Sequence, residues 1–202
     1  MEITIGKFTL ETLTSGMYER PKDIYREYIQ NAVDAIDNAI AQGIVKADKA
    51  QIELGIDKEG RTIRVSDNGT GIGVDYAGKY LLDIGRSPKR FTNARGFRGI
   101  GRLAGLAYCH SLIFETSAAG EDKRTIIEFD AHTLCERMLD EDVDVDLLAL
   151  ITEVVTVKVE QEARTKHYFN VVLTGVEDTD DILDSEKVQE YLEQVAPVDF
   201  DR

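Results

Sequence analysis

The first long pattern of apolar positions, between residues 22 and 42, has the period of an α-helix and ends at Gly43. One face of this helix is apolar and consists of Tyr25, Ile29, Val33, Ile36 and Ile40. A polar stripe, confined to about 60° of arc at about 100° per residue, consists of Glu27, Asn31, Asp34 and Asn38. The apolar residues Ile24, Tyr28 and Ala35 adjoin the stripe, so its carboxylates border apolar surface. The stripe is either a solvated acidic face or one wall of a binding site.

Alternating patterns after this helix predict two antiparallel hairpins and two further strands. In the first hairpin, AQIELGI and RTIRVSD flank the turn DKEG, with Ile63 and Val65 on one face. In the second hairpin, AAGEDK joins SLIFETS to RTIIEFD. The runs ITEVVTVKVE and KHYFNVVL are rich in β-branched and aromatic residues, which favours two more strands.

Helical patterns separate these strands. Short helices are predicted near residues 76–84 and at RLAGLAYC, and a last helix is predicted from a cap at Ser185 to about Val195. The acidic residues 131–147 predict a helix and a loop. Helices combined with antiparallel strand pairs predict an α+β fold, a two-layer α/β sandwich with a mixed, mostly antiparallel sheet. The length of 202 residues fits a single domain.

Two glycine-rich segments interrupt these elements. DNGTGIG, residues 67–73, follows a strand that ends in Asp67. A carboxylate at a strand end, with glycine backbone free to approach a flat ring, suits an exocyclic amine such as that of adenine. The alternative is a plain turn, since Asp-Asn-Gly is a strong turn signal. GFRGIG, residues 96–101, opens the helix RLAGLAYC, where backbone amides and the helix N-terminus favour phosphate.

The charge distribution favours an anionic ligand at the second of these segments. The chain has a net charge of -14, which argues against a general nucleic-acid surface. Between Lys79 and Arg102, however, seven basic residues accompany a single acid, Asp83. A basic, glycine-rich stretch in an acidic protein indicates a compact polyanion, and a triphosphate would fit.

Other nucleotide and metal motifs fail on their spacing. GVDYAGKY has the glycine and lysine spacing of a P-loop, but Tyr80 stands where Ser or Thr would bind magnesium. GIGRLAG is one residue too long for a dinucleotide fingerprint. The cysteines and their histidine neighbours fit no established zinc pattern. These residues are Cys109, His110, His132 and Cys135.

The composition also bounds the location of the protein. The two cysteines lack CxxC spacing, which indicates a reducing compartment, and we expect a cytoplasmic protein. The N-terminal residues do not have the pattern of a secretory signal. No apolar stretch approaches the roughly 18 residues that span a bilayer, so we expect no membrane insertion.

Three motifs occur together and in a fixed order: ExxxNxxDA on a helix, DxGxG after a strand, and GxxGxG before a second helix. In this order they resemble the GHKL superfamily of ATP-binding proteins. That superfamily contains ninety-kilodalton heat-shock chaperones, type II topoisomerases, MutL proteins, MORC proteins and sensor histidine kinases. The opening stretch FTLETLTSGMYERPKDIYREYIQNAVDA is most similar to the heat-shock chaperones, and residues 87–89 are also similar to MORC proteins. The resemblance implies a Bergerat-type fold.

The resemblance implies a role for each motif residue. Glu27 would be the catalytic base that orients and deprotonates the attacking water. Asn31 would bind magnesium, together with the ATP phosphates. Asp67 would accept a hydrogen bond from the adenine amine, with Gly71 and Ile72 packed against the base. The implied nucleotide-binding residues are Asn31, Asp34, Ala35, Asp67, Gly71, Ile72, Ser87, Lys89, Gly96, Arg98, Gly99, Ile100, Gly101 and Thr165.

One position departs from the superfamily pattern. A Gly-Thr pair usually opens the strand that supports the adenine-binding carboxylate, whereas here Arg164 precedes Thr165. Thr165 is the implied site threonine, and Thr174 is the alternative.

The resemblance implies a magnesium-dependent ATPase with slow hydrolysis, in which a lid formed by residues 87–98 closes and the full-length protein dimerises. The expected ligands are ATP and ADP, and the expected partners are a second copy and an unidentified client protein. A histidine-kinase ATP-binding domain and a nucleotide-sensing module without turnover are the alternatives. We expect residues 1–202 to form one GHKL-type domain of a longer protein, with weak hydrolysis in isolation.

Overall fold

A computed structural model describes residues 20–82, 101–139 and 147–196. Its α-helices are α1 (Asp23–Ala41), α2 (Val74–Leu82), α3 (Ala131–Leu139), α4 (Leu147–Val154) and α5 (Ser185–Val195). Its strands are β1 (Ile52–Asp57), β2 (Thr62–Asp67), β3 (Ser111–Ser117), β4 (Lys123–Asp130), β5 (Val155–Gln161) and β6 (Tyr168–Thr174). Short 3₁₀ helices occupy Ala47–Lys49 and Gly101–Ala107.

The six described strands form one sheet in the order β1-β2-β6-β3-β4-β5. Every pairing between neighbours in this order is antiparallel. Helix α1 and the 3₁₀ helix Gly101–Ala107 pack on β2 and β3, and α2 packs on β4. This arrangement confirms the predicted α+β two-layer sandwich with a mostly antiparallel sheet. No described helix is long and apolar enough to cross a membrane.

Two cross-strand rows on the helix-facing side of the sheet differ in character. The Ile63 row consists of Ile63, Leu173, Leu112 and Phe129, which pair in succession across β2, β6, β3 and β4. All four of its side chains are fully buried, which makes this row part of the hydrophobic core. The Asp67 row lies toward the other end of the same strands and consists of Asp67, Phe169, Thr116 and Thr125.

The hydrophobic face of α1 was predicted well, apart from its C-terminal end. Tyr25, Ile29, Val33 and Ile36 are buried, as the helical period requires. Ile40 is 37% exposed because the helix ends one residue later, beyond the edge of the layer.

Three local predictions were wrong in detail. Residues 151–154 belong to α4 and not to the strand that follows, because Leu150, Ile151 and Val154 are buried on one helical face. The N-cap of α5 is Asp184, whose carboxylate accepts a hydrogen bond from the amide of Lys187, and not Ser185.

The third correction concerns the segment predicted as a helix after the second glycine motif. Gly101–Ala107 is a 3₁₀ helix and not an α-helix. The amide of Gly105 donates to the Tyr28 hydroxyl at 2.9 Å, so one donor that an α-helix would use internally bonds to α1 instead. Glycine has low helix propensity, which favours the same outcome.

Candidate functional site

The polar stripe of α1 lies at the border between buried and exposed surface. Glu27, Asn31 and Asp34 are partly exposed, and Asn38 is exposed. The Glu27 side chain is 20% exposed, and its carboxylate lies 3.4 Å from the guanidinium of Arg26. Carboxylates in this setting remain accessible to a ligand while their helix is fixed by the core.

Asp67 is the most unusual acid among the predicted site residues. Asp67 is only 6% exposed, and its Oδ1 accepts a hydrogen bond of 2.9 Å from the amide of Gly69. Burial raises the pKa of the Asp67 carboxyl to about 7, although the hydrogen bond from Gly69 acts in the opposite direction. A buried carboxyl with a perturbed pKa is a candidate binding group in its own right.

The loop that follows Asp67 contacts the polar side of α1. A side chain at Gly69 would place its Cβ 2.7 Å from the carbonyl carbon of Ala35 and 2.8 Å from the Ala35 Cβ. Only glycine fits this approach, so the absence of a side chain brings the loop against the helix that carries Glu27, Asn31 and Asp34. The structure therefore joins the first two sequence motifs at one place.

The second half of the loop rests on β3. Gly71 has a positive φ of 60°, and a Cβ at this position would collide with the carbonyl oxygen of Ser117. The amide of Ile72 donates to Oγ1 of Thr116 at 2.8 Å. The amide of Val74, the first residue of α2, donates to a Glu121 carboxylate oxygen at 2.9 Å.

The first half of the loop is held by His167, the residue directly before β6. The ring nitrogen Nδ1 of His167 lies 2.9 Å from the Gly69 carbonyl oxygen. Because that oxygen can only accept, the Nδ1 must carry the proton. The loop is thus bonded on one side to the segment before β6 and on the other to the β3–β4 hairpin.

Of the third motif, the structure describes only the last glycine, Gly101. Gly101 begins the 3₁₀ helix that packs on α1, and the Gly105–Tyr28 hydrogen bond fixes that contact one residue away from Glu27. Arg102 donates to the Leu81 carbonyl at 3.1 Å. The other predicted residues of this motif and of the lid lie outside the described residues: Ser87, Lys89, Gly96, Arg98, Gly99 and Ile100.

Neither of the two candidate site threonines, Thr165 and Thr174, is the residue that pairs with Asp67. Thr165 is exposed in the turn before β6, and Thr174 is the last residue of β6, opposite Thr62. The residue of β6 that pairs with Asp67 is Phe169. Sequence reasoning missed Thr116, the buried hydroxyl of the Asp67 row. Thr116 is a single threonine in the alternation that begins with Leu112 and Phe114, and such a residue gives no sequence signal of its own.

The described residues include one expected magnesium ligand, Asn31, which is partly exposed on α1. They contain no cluster of three or more His, Cys, Asp or Glu side chains that could bind a metal. Magnesium bound with a nucleotide needs only one or two protein ligands besides phosphates and waters. An amide oxygen of the kind that Asn31 carries is a suitable hard ligand.

A separate groove lies between α1, β1 and α5. Its apolar walls include Val33, Leu54 and Leu192, and it contains none of the predicted site residues. This groove is therefore distinct from the candidate site.

Fold and motif order together define a GHKL-type ATP-binding domain. The chain belongs to the family of histidine kinase-, DNA gyrase B- and HSP90-like ATPases, which residues 21–165 match. The resemblance to the GHKL superfamily is thereby confirmed.

Individual relatives are bacterial chaperones. A chaperone protein HtpG of Burkholderia ambifaria is 31% identical over 134 residues, which cover 56% of this chain and 21% of the relative. The HtpG of Bordetella pertussis is 38% identical over 90 residues, which cover 42% of this chain and 14% of the relative. The HtpG of Fusobacterium nucleatum is 25% identical over 130 residues, which cover 55% of this chain and 21% of the relative. The matched part of the chain thus spans about a fifth or less of the length of these relatives.

Proposed function

We propose that this chain binds ATP with magnesium and hydrolyses it slowly, and that the nucleotide controls lid closure and dimerisation as in heat-shock-chaperone-like ATPases. The observation that carries the proposal is the buried Asp67 carboxyl, whose glycine loop packs on the helix that presents Glu27 and Asn31. The family and the HtpG relatives support the same function.

Asp67 would select the base. In the ionised state its carboxylate accepts hydrogen bonds only, so it would pair with the exocyclic amine of adenine and disfavour a carbonyl at that position. A buried acceptor discriminates strongly, because a ligand without the matching donor would leave a desolvated carboxyl without a partner. Gly71 and Ile72 would pack on the face of the base.

The polar stripe of α1 would carry out the chemistry. Glu27 would take the proton of the attacking water. Asn31, one turn further along, would hold the magnesium ion, which supplies charge neutralisation to the triphosphate. Asp34 and Ala35 would line the nucleotide pocket.

The second glycine segment would hold the phosphates. Backbone amides of Gly96, Gly99, Ile100 and Gly101 would donate to phosphate oxygens. Ser87, Lys89 and Arg98 would belong to the lid that covers them. Thr165 or Thr174 stays a prediction for the site threonine.

The two described cysteines, Cys109 and Cys135, are both free, which supports a reducing and hence cytoplasmic setting.

Phosphate release tests the role of Glu27. We expect Glu27→Ala to lower the rate at saturating ATP by roughly 100-fold or more, because a positioned general base contributes 10²–10⁴-fold. ATP affinity should change little. The matched control is Asp37→Ala, an exposed acid on the water side of the same helix, which should release phosphate at the wild-type rate.

The same measurement separates the alternatives. Equal release by wild type and Glu27→Ala would remove Glu27 as the base. Tight ATP binding with no release by the wild type would favour a nucleotide-sensing module. Transfer of the terminal phosphate to a protein histidine would favour the histidine-kinase alternative, whose members generally lack an acid four residues before the asparagine.

A further inference from the structure

Thr116 occupies an unusual position for a buried hydroxyl. It lies in the Asp67 row on β3, it is fully buried, and it pairs with Phe169 on one side and with Thr125 on the other. Its hydroxyl makes two hydrogen bonds. It accepts from the amide of Ile72 at 2.8 Å and donates to the carbonyl of Tyr168 at 3.0 Å.

These two bonds connect segments that are not neighbours in the sheet. Ile72 belongs to the loop that leaves β2, while Tyr168 is the first residue of β6, which lies between β2 and β3. The Thr116 hydroxyl therefore fastens the loop across the end of β6 onto β3. The hydroxyl donates one hydrogen bond and accepts another, so a methyl group of similar shape cannot replace it.

The loop depends on this bond because its backbone conformation is demanding. Gly71, directly before Ile72, has a φ of 60° and lies against the Ser117 carbonyl. A loop in this conformation needs an external partner for its next amide, since an amide without an acceptor in a partly buried position is unfavourable. Thr116 supplies that acceptor from a fully buried position in β3.

We infer that Thr116 is a positioning residue for the nucleotide base. Its hydroxyl holds the Gly71–Ile72 loop at the distance from the sheet that lets the loop pack on the base bound by Asp67. The inference rests on the proposed function, since it concerns the same adenine site. It assigns to a hydroxyl on β3 a role that the motif residues themselves do not provide.

Thr125 provides a matched control for this role. It is the cross-strand partner of Thr116, belongs to the same row, and is 2% exposed. Its hydroxyl, however, has no hydrogen-bond partner within the described part of the chain. A change to valine keeps the β-branched shape at both positions, so the two variants differ only in the hydrogen bonds they remove.

Calorimetric titration of ADP with magnesium into the chain distinguishes positioning from general stability. A change in the folded fraction alters the number of binding sites per chain, whereas a displaced loop alters the affinity. We expect Thr116→Val to weaken ADP binding roughly tenfold, equal to about 1.4 kcal/mol, with an unchanged number of sites. Thr116→Ser, which keeps both hydrogen bonds, should restore most of the affinity. Thr125→Val should bind as the wild type does.

Several results would overturn the inference. They are an unchanged affinity in Thr116→Val, an equal loss in Thr116→Val and Thr125→Val, or an affinity in Thr116→Ser as low as in Thr116→Val. If Thr116→Val does not fold, hydrogen exchange of the Ile72 amide in the wild type decides, because the bond to Thr116 must protect it. An unprotected Ile72 amide in folded protein would contradict the proposal. A wild type that does not bind ADP would instead refute the proposed function, and the inference with it.

Discussion

The Asp67 row and the Ile63 row lie on the same face of the same strands, yet they bury different chemistry. In the Ile63 row every member is a large apolar side chain without exposure. The Asp67 row buries a carboxyl and two hydroxyls, one of which has no partner in the described residues. Burial of polar groups is unfavourable unless they are hydrogen-bonded, so the Asp67 row is the less stable arrangement. One end of these strands thus buries only apolar side chains, whereas the other end buries polar groups beside the proposed nucleotide site.

The largest effect is expected in the Ile63 row. Leu173→Ala removes a fully buried side chain that contacts Gly105 and leaves a cavity, so we expect a loss of about 4 kcal/mol of unfolding free energy. ADP affinity per folded molecule should not change. Val172→Ala, on the opposite and partly exposed side of β6, is the control and should cost far less. Denaturant unfolding and calorimetry check both quantities, and a large affinity loss in Leu173→Ala would erase the distinction between the rows.

The glycine loop beside the Asp67 row should be the next most sensitive. Gly71→Ala forces an alanine into a left-handed conformation and against the Ser117 carbonyl, and we expect roughly 3 kcal/mol of destabilisation. Nucleotide binding should also be lost. Gly43→Ala is a matched control, because Gly43 has a φ of 70° but open space around its Cβ position. That variant should lose only about 1 kcal/mol of unfolding free energy, because it has the strain of the left-handed conformation without a collision. Equal losses in the two variants would mean that the contact with β3 contributes nothing.

Asp67→Asn should separate stability from function. The folded state raises the Asp67 pKa from 3.8 to about 7, so folding favours the protonated carboxyl. The contribution of this group to stability is full below pH 3.8 and is lost as the pH rises toward 7. At pH 8 we therefore expect Asp67→Asn to be about 2 kcal/mol more stable than wild type, after allowance for the buried amide. At pH 3.5 the variant should be less stable than wild type, because the carboxyl is then protonated in most folded and unfolded molecules and only the cost of the buried amide remains.

The same variant should lose nucleotide binding at every pH, because an asparagine in this position no longer offers a carboxylate to the adenine amine. Asp37→Asn, which replaces an exposed acid, should change neither quantity. Thermal unfolding at the two pH values and calorimetry with ADP measure the outcome. An Asp67→Asn variant that binds ADP with wild-type affinity would remove Asp67 from the site.

The smallest effect concerns the pH dependence of the wild type. If the ionised Asp67 carboxylate accepts the adenine amine, protonation competes with binding, and ADP should bind about tenfold more weakly at pH 6 than at pH 8, equal to about 1.4 kcal/mol. Inosine diphosphate has the same phosphates but a carbonyl in place of the amine, so it reports the phosphate contribution alone. A profile for ADP parallel to that of inosine diphosphate would show that the charge on Asp67 does not matter for binding.

Much of the fold could be predicted because its signals are local. The period of α1 identified the buried Tyr25 and Ile29, and the alternation in both hairpins identified β1 to β4. The predictions failed where a distant contact overrides local preference. Three of the four residues 151–154 are β-branched, yet the segment joins α4. Gly101–Ala107 forms a 3₁₀ helix whose Gly105 amide bonds to Tyr28.

The candidate site shows the same division. Motif order predicted Glu27, Asn31 and Asp67 as residues of one site, and the glycine spacing predicted the loop. Thr116 escaped notice because a single threonine within an alternating strand has no signature of its own. Its importance depends on a bond to Ile72, 44 residues away in the sequence.

By itself the sequence determined the helices, the hairpins, the order of the three motifs and hence the family, because periodicity and spacing are properties of neighbouring residues. Only the tertiary structure decided which residue faces Asp67 across β6, which hydroxyl fastens the loop, and how far burial raises the Asp67 pKa. The pairing of β6 with β2 and β3 and the desolvation of Asp67 arise from contacts between residues far apart in the chain, which a local pattern does not specify.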